Sequence, residues 1–252
     1  TVEGQTWTGS AGSEWNNPAS WSCGFVPYPG TSVIIPDVAV KPIISSGING
    51  EAGHIAIASG SSLTVAGGTI SIHGTVSGPG LIDAAAGSVE FSGTVPQAVP
   101  VNFFAGDRVM NLTVSNAAGV TLGGPLNVTG TLLVQNGNLA SGGYLTLVSE
   151  ASGTALIDGS GAGTVTGNVT MQRYLPSRFG YRYFSSPFTS SPVSEFGDDM
   201  DLASSWPMFY RYDESRTSSG WVSYSTGTFP LVPLEGYAVN FGSADTPYTV
   251  DV

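Results

Sequence analysis

The sequence has 252 residues, 35 of them glycine and 16 proline, and only 10% are charged, against roughly 25% in an average soluble protein. Eighteen acidic against seven basic residues give a net charge of −11, which argues against nucleic acid and an anionic membrane surface, since both require clustered Lys and Arg. Scarce Glu, Lys, Gln and Arg exclude long exposed helices, the even spread of β-branched residues argues against disorder, and no apolar run approaches the ~18 residues of a membrane span.

The first 36 residues carry Trp7, Trp15 and Trp21, three of the five tryptophans. A repetitive stack exposes apolar surface at its end and needs an atypical terminal segment. Residues 1–36 are therefore expected to be a Trp-rich N-terminal cap. The single cysteine, Cys23, allows no disulfide framework within the chain and reads as a small buried residue. The start at Thr1, without Met, reads as a processed or excised segment.

From residue 37 to 170 the text is short alternating runs separated by Gly, Asn or Ser. Examples are His54-Ile55-Ala56-Ile57, Ser62-Leu63-Thr64-Val65, Asn111-Leu112-Thr113-Val114 and Thr131-Leu132-Leu133-Val134. Period-two alternation over three to five residues is a strand signal, and no period of 3.6 persists. The formula x-Leu-x-Val or x-Leu-x-Leu recurs at Leu63, Leu112, Leu126, Leu132 and Leu145. An antiparallel sandwich uses longer strands, whereas a β-helix repeats one formula at each turn. The expectation is a β-solenoid (parallel β-helix-like) stack, with Val95–Arg108, which holds Pro96, Pro100, Phe103 and Phe104, as a loop or cap interrupting it.

Residues 171–252 differ in composition. Five of the seven basic residues (Arg173, Arg178, Arg182, Arg211, Arg216) lie here, with aromatic strands such as Tyr181-Arg182-Tyr183-Phe184 and Phe209-Tyr210-Arg211-Tyr212 between prolines. This predicts a second, β-sandwich-like domain. The last residues, Tyr248–Val252, read as mid-strand, so the domain is expected to be incomplete.

Three segments together resemble a known family. Trp7-Thr8-Gly9, Glu14-Trp15-Asn16-Asn17-Pro18-Ala19-Ser20-Trp21 and Val33-Ile34-Ile35-Pro36 resemble a motif that opens modules of large surface proteins of gliding bacteria and their relatives. The run Asn111–Thr170 resembles the repeat region of those proteins, and Phe184-Ser185-Ser186-Pro187 with Glu235-Gly236-Tyr237-Ala238-Val239 resembles the segment that follows it. The resemblance implies a secreted, adhesin-like cell-surface protein exported by the type IX secretion pathway.

Candidate chemistry is sparse in the repeats. Asp83, Glu90, Asp107, Glu150 and Asp158, with Lys41 and Arg108 as the available cations, are too scattered for the paired carboxylates of a glycoside hydrolase and read as solvated turn residues. His54 and His73 have no Cys or carboxylate beside them to complete a metal site. After residue 171, Asp198, Asp199 and Asp201 form an acidic run in which calcium is the candidate cation. Trp206, Tyr210, Tyr212 and Trp221 are candidates for a sugar-stacking platform, since alternation puts Tyr210 and Tyr212 on one face of a strand. The expectation is a non-enzymatic structural or adhesive module whose partners are other extracellular proteins or surface glycans, or copies of itself. A filament or sheath subunit, a carbohydrate-binding module of a secreted enzyme and a β-helix polysaccharide lyase or hydrolase are the alternatives.

Overall fold

The computed structural model describes residues 4–252 apart from Ser205 and Pro207. Strands make up 46% of it, with no α-helix, and a β-solenoid of about seven turns is its main feature. The chain divides into two compact units. The first is 1–148 with 153–170, and the second is 149–152 with 171–252.

In the first unit most turns contribute three short strands, and successive turns stack in parallel. One column runs through Ser32–Ile35, His54–Ile57 and Val76–Ser77, then resumes at Gln97–Val99, Val120–Leu122, Asn138–Ala140 and Thr164–Thr166. The second column runs from Ile43–Ser45 and Ser62–Ala66 to Leu126–Val128 and Leu145–Leu147. The third runs from Asn49–Ala52 and Thr69–Ile72 to Thr131–Val134 and Leu156–Asp158. Between these, the long strands Leu81–Phe91 and Phe104–Val114 pass through both columns, and their mutual register shifts twice. Leu63 pairs with Ile82, and Leu126 with Leu145, each 19 residues on.

The recurring formula follows from this register. In the third column Ile70, Val89, Leu112 and Leu132 align in successive turns, as do Ile72, Phe91, Val114 and Val134. All of these are buried. Alternate residues between them face outward and are mostly polar, because successive side chains of a strand point to opposite faces. Glu90, for example, accepts hydrogen bonds from Ser71 of the turn before (2.9 Å) and Ser115 beyond the next turn's strand (2.7 Å).

Residues 95–108 are not a loop or cap. Gln97–Val99 is a strand of the first column, and Phe103 and Phe104 are buried, their rings edge-to-face at 5.5 Å. The column's backbone pairing is broken between Val76–Ser77 and Gln97–Val99. The buried Gln97 side chain spans the break. Its amide donates to the carbonyls of Ile72 (2.9 Å) and Gly74 (2.7 Å), while its carbonyl accepts from the Gly93 amide and Asn116 Nδ2, both at 2.9 Å. Buried backbone groups left open by the irregular turn are thereby satisfied.

The tryptophans form one cluster at the start of the unit. Trp7 and Trp15 each meet Trp21 edge-to-face, at 5.0 and 4.8 Å. All three are buried, and Trp7 and Trp21 donate their indole N–H groups to the carbonyls of Val40 and Trp15. Trp15 explains Gly50, which sits in the inward row where later turns carry Ile70 and Val89. A Cβ there would lie 2.6 Å from Ile44 Cδ1 and 3.1 Å from Trp15 Nε1. Ser32–Ile35, within the segment read as cap, already belongs to the first column, and Gly4–Thr6 pairs beneath it. Cys23, expected to be buried, is exposed, its sulfur 3.6 Å from the Gly4 carbonyl.

The second unit is an antiparallel sandwich-like fold. Tyr181–Phe184, Tyr237–Asn240, Phe209–Tyr212 and Trp221–Ser223 form one sheet in that spatial order. Met171–Leu175, part of the strand Val169–Leu175, and Tyr248–Asp251 form a second antiparallel pair. Phe209, Tyr237 and Val239 from the inner sheet face pack with Leu175, Val250, Val193, Phe196 and Met200 as one core.

Candidate functional site: an aromatic groove on the second unit

Cross-strand register sets the composition of the outer sheet face. Tyr183, Ala238, Tyr210 and Ser223 form one row across the four strands, and Tyr212 pairs with Trp221 in the next. Tyr181 lies two residues before Tyr183 on its strand and so shares that face. The intervening residues Phe184, Phe209, Tyr237 and Val239 enter the core, which leaves the aromatics of the other parity outside.

Between these aromatics lies a groove of about 430 Å³, lined by Tyr181, Tyr183, Tyr210, Ser219, Trp221 and Ala238. Ala238 is its floor. It is buried, on an inner strand of the sheet, and its methyl leaves open the space a larger residue would fill. Tyr183 and Trp221 come from the two edge strands, whose backbones lie about 14 Å apart at ordinary strand spacing. Their rings nonetheless lean together, centroids 6.4 Å apart and planes tilted by 24°. Tyr212 meets the indole edge-to-face at 5.1 Å and props it. Gly220 makes that possible, because a Cβ there would lie 2.5 Å from the Tyr212 ring. Tyr181 and Tyr210 meet at 5.9 Å. Partial burial, the neighbouring Tyr181 phenol and the hydrogen bond between the two together push the Tyr210 hydroxyl above its ordinary pKa, so it remains a neutral hydrogen-bonding group at physiological pH.

Three of the four expected platform residues are therefore brought together. Tyr210 and Trp221 line the groove and Tyr212 supports it, whereas Trp206 is exposed, ahead of the strand Phe209–Tyr212, and is not part of the lining. Tyr181 and Tyr183 were not singled out from the sequence. Their alternation within Tyr181-Arg182-Tyr183-Phe184 was a usable signal, but which strand would lie across from Trp221 was not.

The acidic run does not converge on a cation. Asp199 is buried, and its carboxylate accepts from the Tyr248 hydroxyl (2.7 Å) and the Asp251 amide (3.1 Å). Burial pushes its pKa up, against the effect of those two hydrogen bonds. Asp201 accepts from the Ala203 amide in its own turn (3.0 Å), and Asp198 is exposed. Among the described residues no group of three or more His, Cys, Asp or Glu is placed to hold a metal ion. The two histidines also go separate ways. His54 bonds Thr75 and His73 bonds Ser92, each about one turn further on.

Fold and site together define an all-β protein with a solenoid and an aromatic-faced sandwich-like unit. Residues 6–84, which include the Trp cluster and the first solenoid turns, are similar to a domain of unknown function, DUF8693. No curated protein and no solved structure matches the chain.

Proposed function

We propose that this chain is a non-enzymatic extracellular module of adhesive type, in which the β-solenoid is scaffold and the aromatic groove of the second unit is the contact face. The observation that carries the reading is the contrast between the two outer surfaces. Outward polar residues of the solenoid such as Ser71, Glu90 and Ser115 bond one another between turns, whereas Tyr183 and Trp221 are 78% and 40% exposed around an open groove. Clustered exposed aromatics of this kind mark binding surfaces. The resemblance to surface proteins of gliding bacteria supports a location on the cell exterior and export by the type IX pathway. Partners in this reading are extracellular proteins or surface glycans.

The test uses beads coated with the full chain, scored for attachment to bacterial cells and to extracellular polymer films. Attachment that is lost in Ala238→Leu, which fills the groove, is the expected result. Beads that never attach would overturn the adhesive role. Release of cleavage products from polysaccharides or proteins incubated with the chain, detected by mass spectrometry, would overturn the non-enzymatic one.

A further inference from the structure

We infer that the groove on the second unit binds neutral carbohydrate, with a pyranose ring seated over Ala238 against the Trp221 indole and Tyr183 as its second wall. The inference rests on the groove being the contact face and adds the chemistry of its ligand.

Three observations select the class. First, the lining is aromatic and hydroxylated, without a charged side chain, in a chain whose net charge is −11. No cation lines it to compensate a carboxylate, sulfate or phosphate, and the nearby Arg216 guanidinium is turned to the Trp221 carbonyl (3.5 Å). Second, the walls are near-parallel rings that are 78% and 40% exposed. A pyranose whose hydroxyls are mostly equatorial presents a flat face of C–H groups, which packs on an aromatic face with dispersion and weak C–H contacts. A peptide that adds a strand would instead need unpaired backbone at a sheet edge, and this groove opens on the face of the sheet, over an inner strand. Third, polar groups border the apolar walls where sugar hydroxyls would fall: the paired phenols of Tyr181 and Tyr210, and exposed Ser219. An apolar cleft with a few placed hydrogen-bonding groups is how small ligands are oriented.

The indole and the Tyr183 ring stand 6.4 Å apart at their centroids, so entry of a sugar ring between them requires Tyr183 to swing outward. Its exposure leaves that rotation free. Trp221 is held on the other side by Tyr212, so the two walls have different jobs: one is fixed and one moves.

The experiment is affinity gel electrophoresis and calorimetry of the full chain against soluble β-1,3-glucan, hydroxyethyl cellulose and galactomannan, with pectin and alginate as acidic comparisons. Retardation by at least one neutral polysaccharide is expected, with affinity falling tenfold or more in Trp221→Ala and in Ala238→Leu, both checked for an unchanged melting curve. Should Trp221→Ala fold poorly, Tyr183→Ala, which alters a mostly exposed ring, serves in its place. Binding to acidic polysaccharides alone, or neutral binding that survives all three substitutions, would overturn the inference. Beads that attach through the groove while no neutral polysaccharide binds would refute the carbohydrate and leave the contact face standing. Neutral binding without attachment would do the reverse.

Discussion

The two units solve the burial problem in opposite ways, and the difference explains where ligand chemistry resides. In the solenoid, inward residues of successive turns such as Ile70, Val89 and Leu112 bury one another, and outward polar groups such as Ser71, Glu90 and Ser115 bond along the stack. In the second unit the sheet has one face on a core of ten buried residues and sends the other outward, free of structural duty. In a repetitive stack outward polar groups can bond between turns, as Ser71, Glu90 and Ser115 do, whereas the outer face of the second unit's sheet carries its aromatics into an open groove.

That contrast can be broken or sharpened by mutation. The largest effect is expected for Trp15→Ala, which removes the indole packed over the first turn and against Trp21. A loss of about 3–5 kcal/mol is expected, read by denaturant unfolding followed through tryptophan fluorescence. Gln97→Leu strips four hydrogen bonds from the break in the first column and leaves buried carbonyls and amides open. About 3 kcal/mol of destabilisation is expected by the same measurement, and a negligible change would show that water replaces the side chain. In the second unit, Asp199→Ala leaves the Tyr248 hydroxyl and the Asp251 amide without their acceptor, at a cost of about 1–3 kcal/mol.

Asp199 also makes a pH prediction. Its folded pKa lies above the ordinary value, so the folded state holds the proton more tightly than the unfolded chain does. Its contribution is therefore fully present below the unfolded pKa and is lost as pH rises through the folded one. The melting temperature of the wild type relative to Asp199→Asn should decline as pH is raised from about 3 toward neutrality; a flat difference would mean that Asp199 has the same pKa in both states. The smallest effect on stability, within about 0.5 kcal/mol, is expected for Tyr183→Ala, since its ring is mostly exposed. This is the substitution that separates the units most sharply, because it should weaken groove binding about tenfold or more and leave the fold intact.

Much of the architecture was legible because it is periodic. Inward residues at Leu63, Leu112, Leu126, Leu132 and Leu145 recur in the text because each turn presents the same environment to the chain. The turn built on Gln97 was not legible. Its prolines and paired phenylalanines read as a loop, since a side-chain amide standing in for missing backbone pairing has no sequence signature. The exposure of Cys23 escaped for the same kind of reason. Residue type favours burial, but its place beside Gly4 at the edge of the N-terminal segment decides it.

The sequence by itself determined the all-β class, the solenoid and the shift to an aromatic second unit, because these depend on alternation and composition that are local along the chain. It also determined that Tyr210 and Tyr212 share a face. Only the tertiary structure decided that Trp221 and Tyr183, from opposite edges of a sheet, meet above Ala238, and that Asp199 turns inward to Tyr248 and away from Asp201. Those pairings join residues 38 and 49 positions apart, and strand order in an antiparallel sheet follows from global packing, which no local pattern encodes.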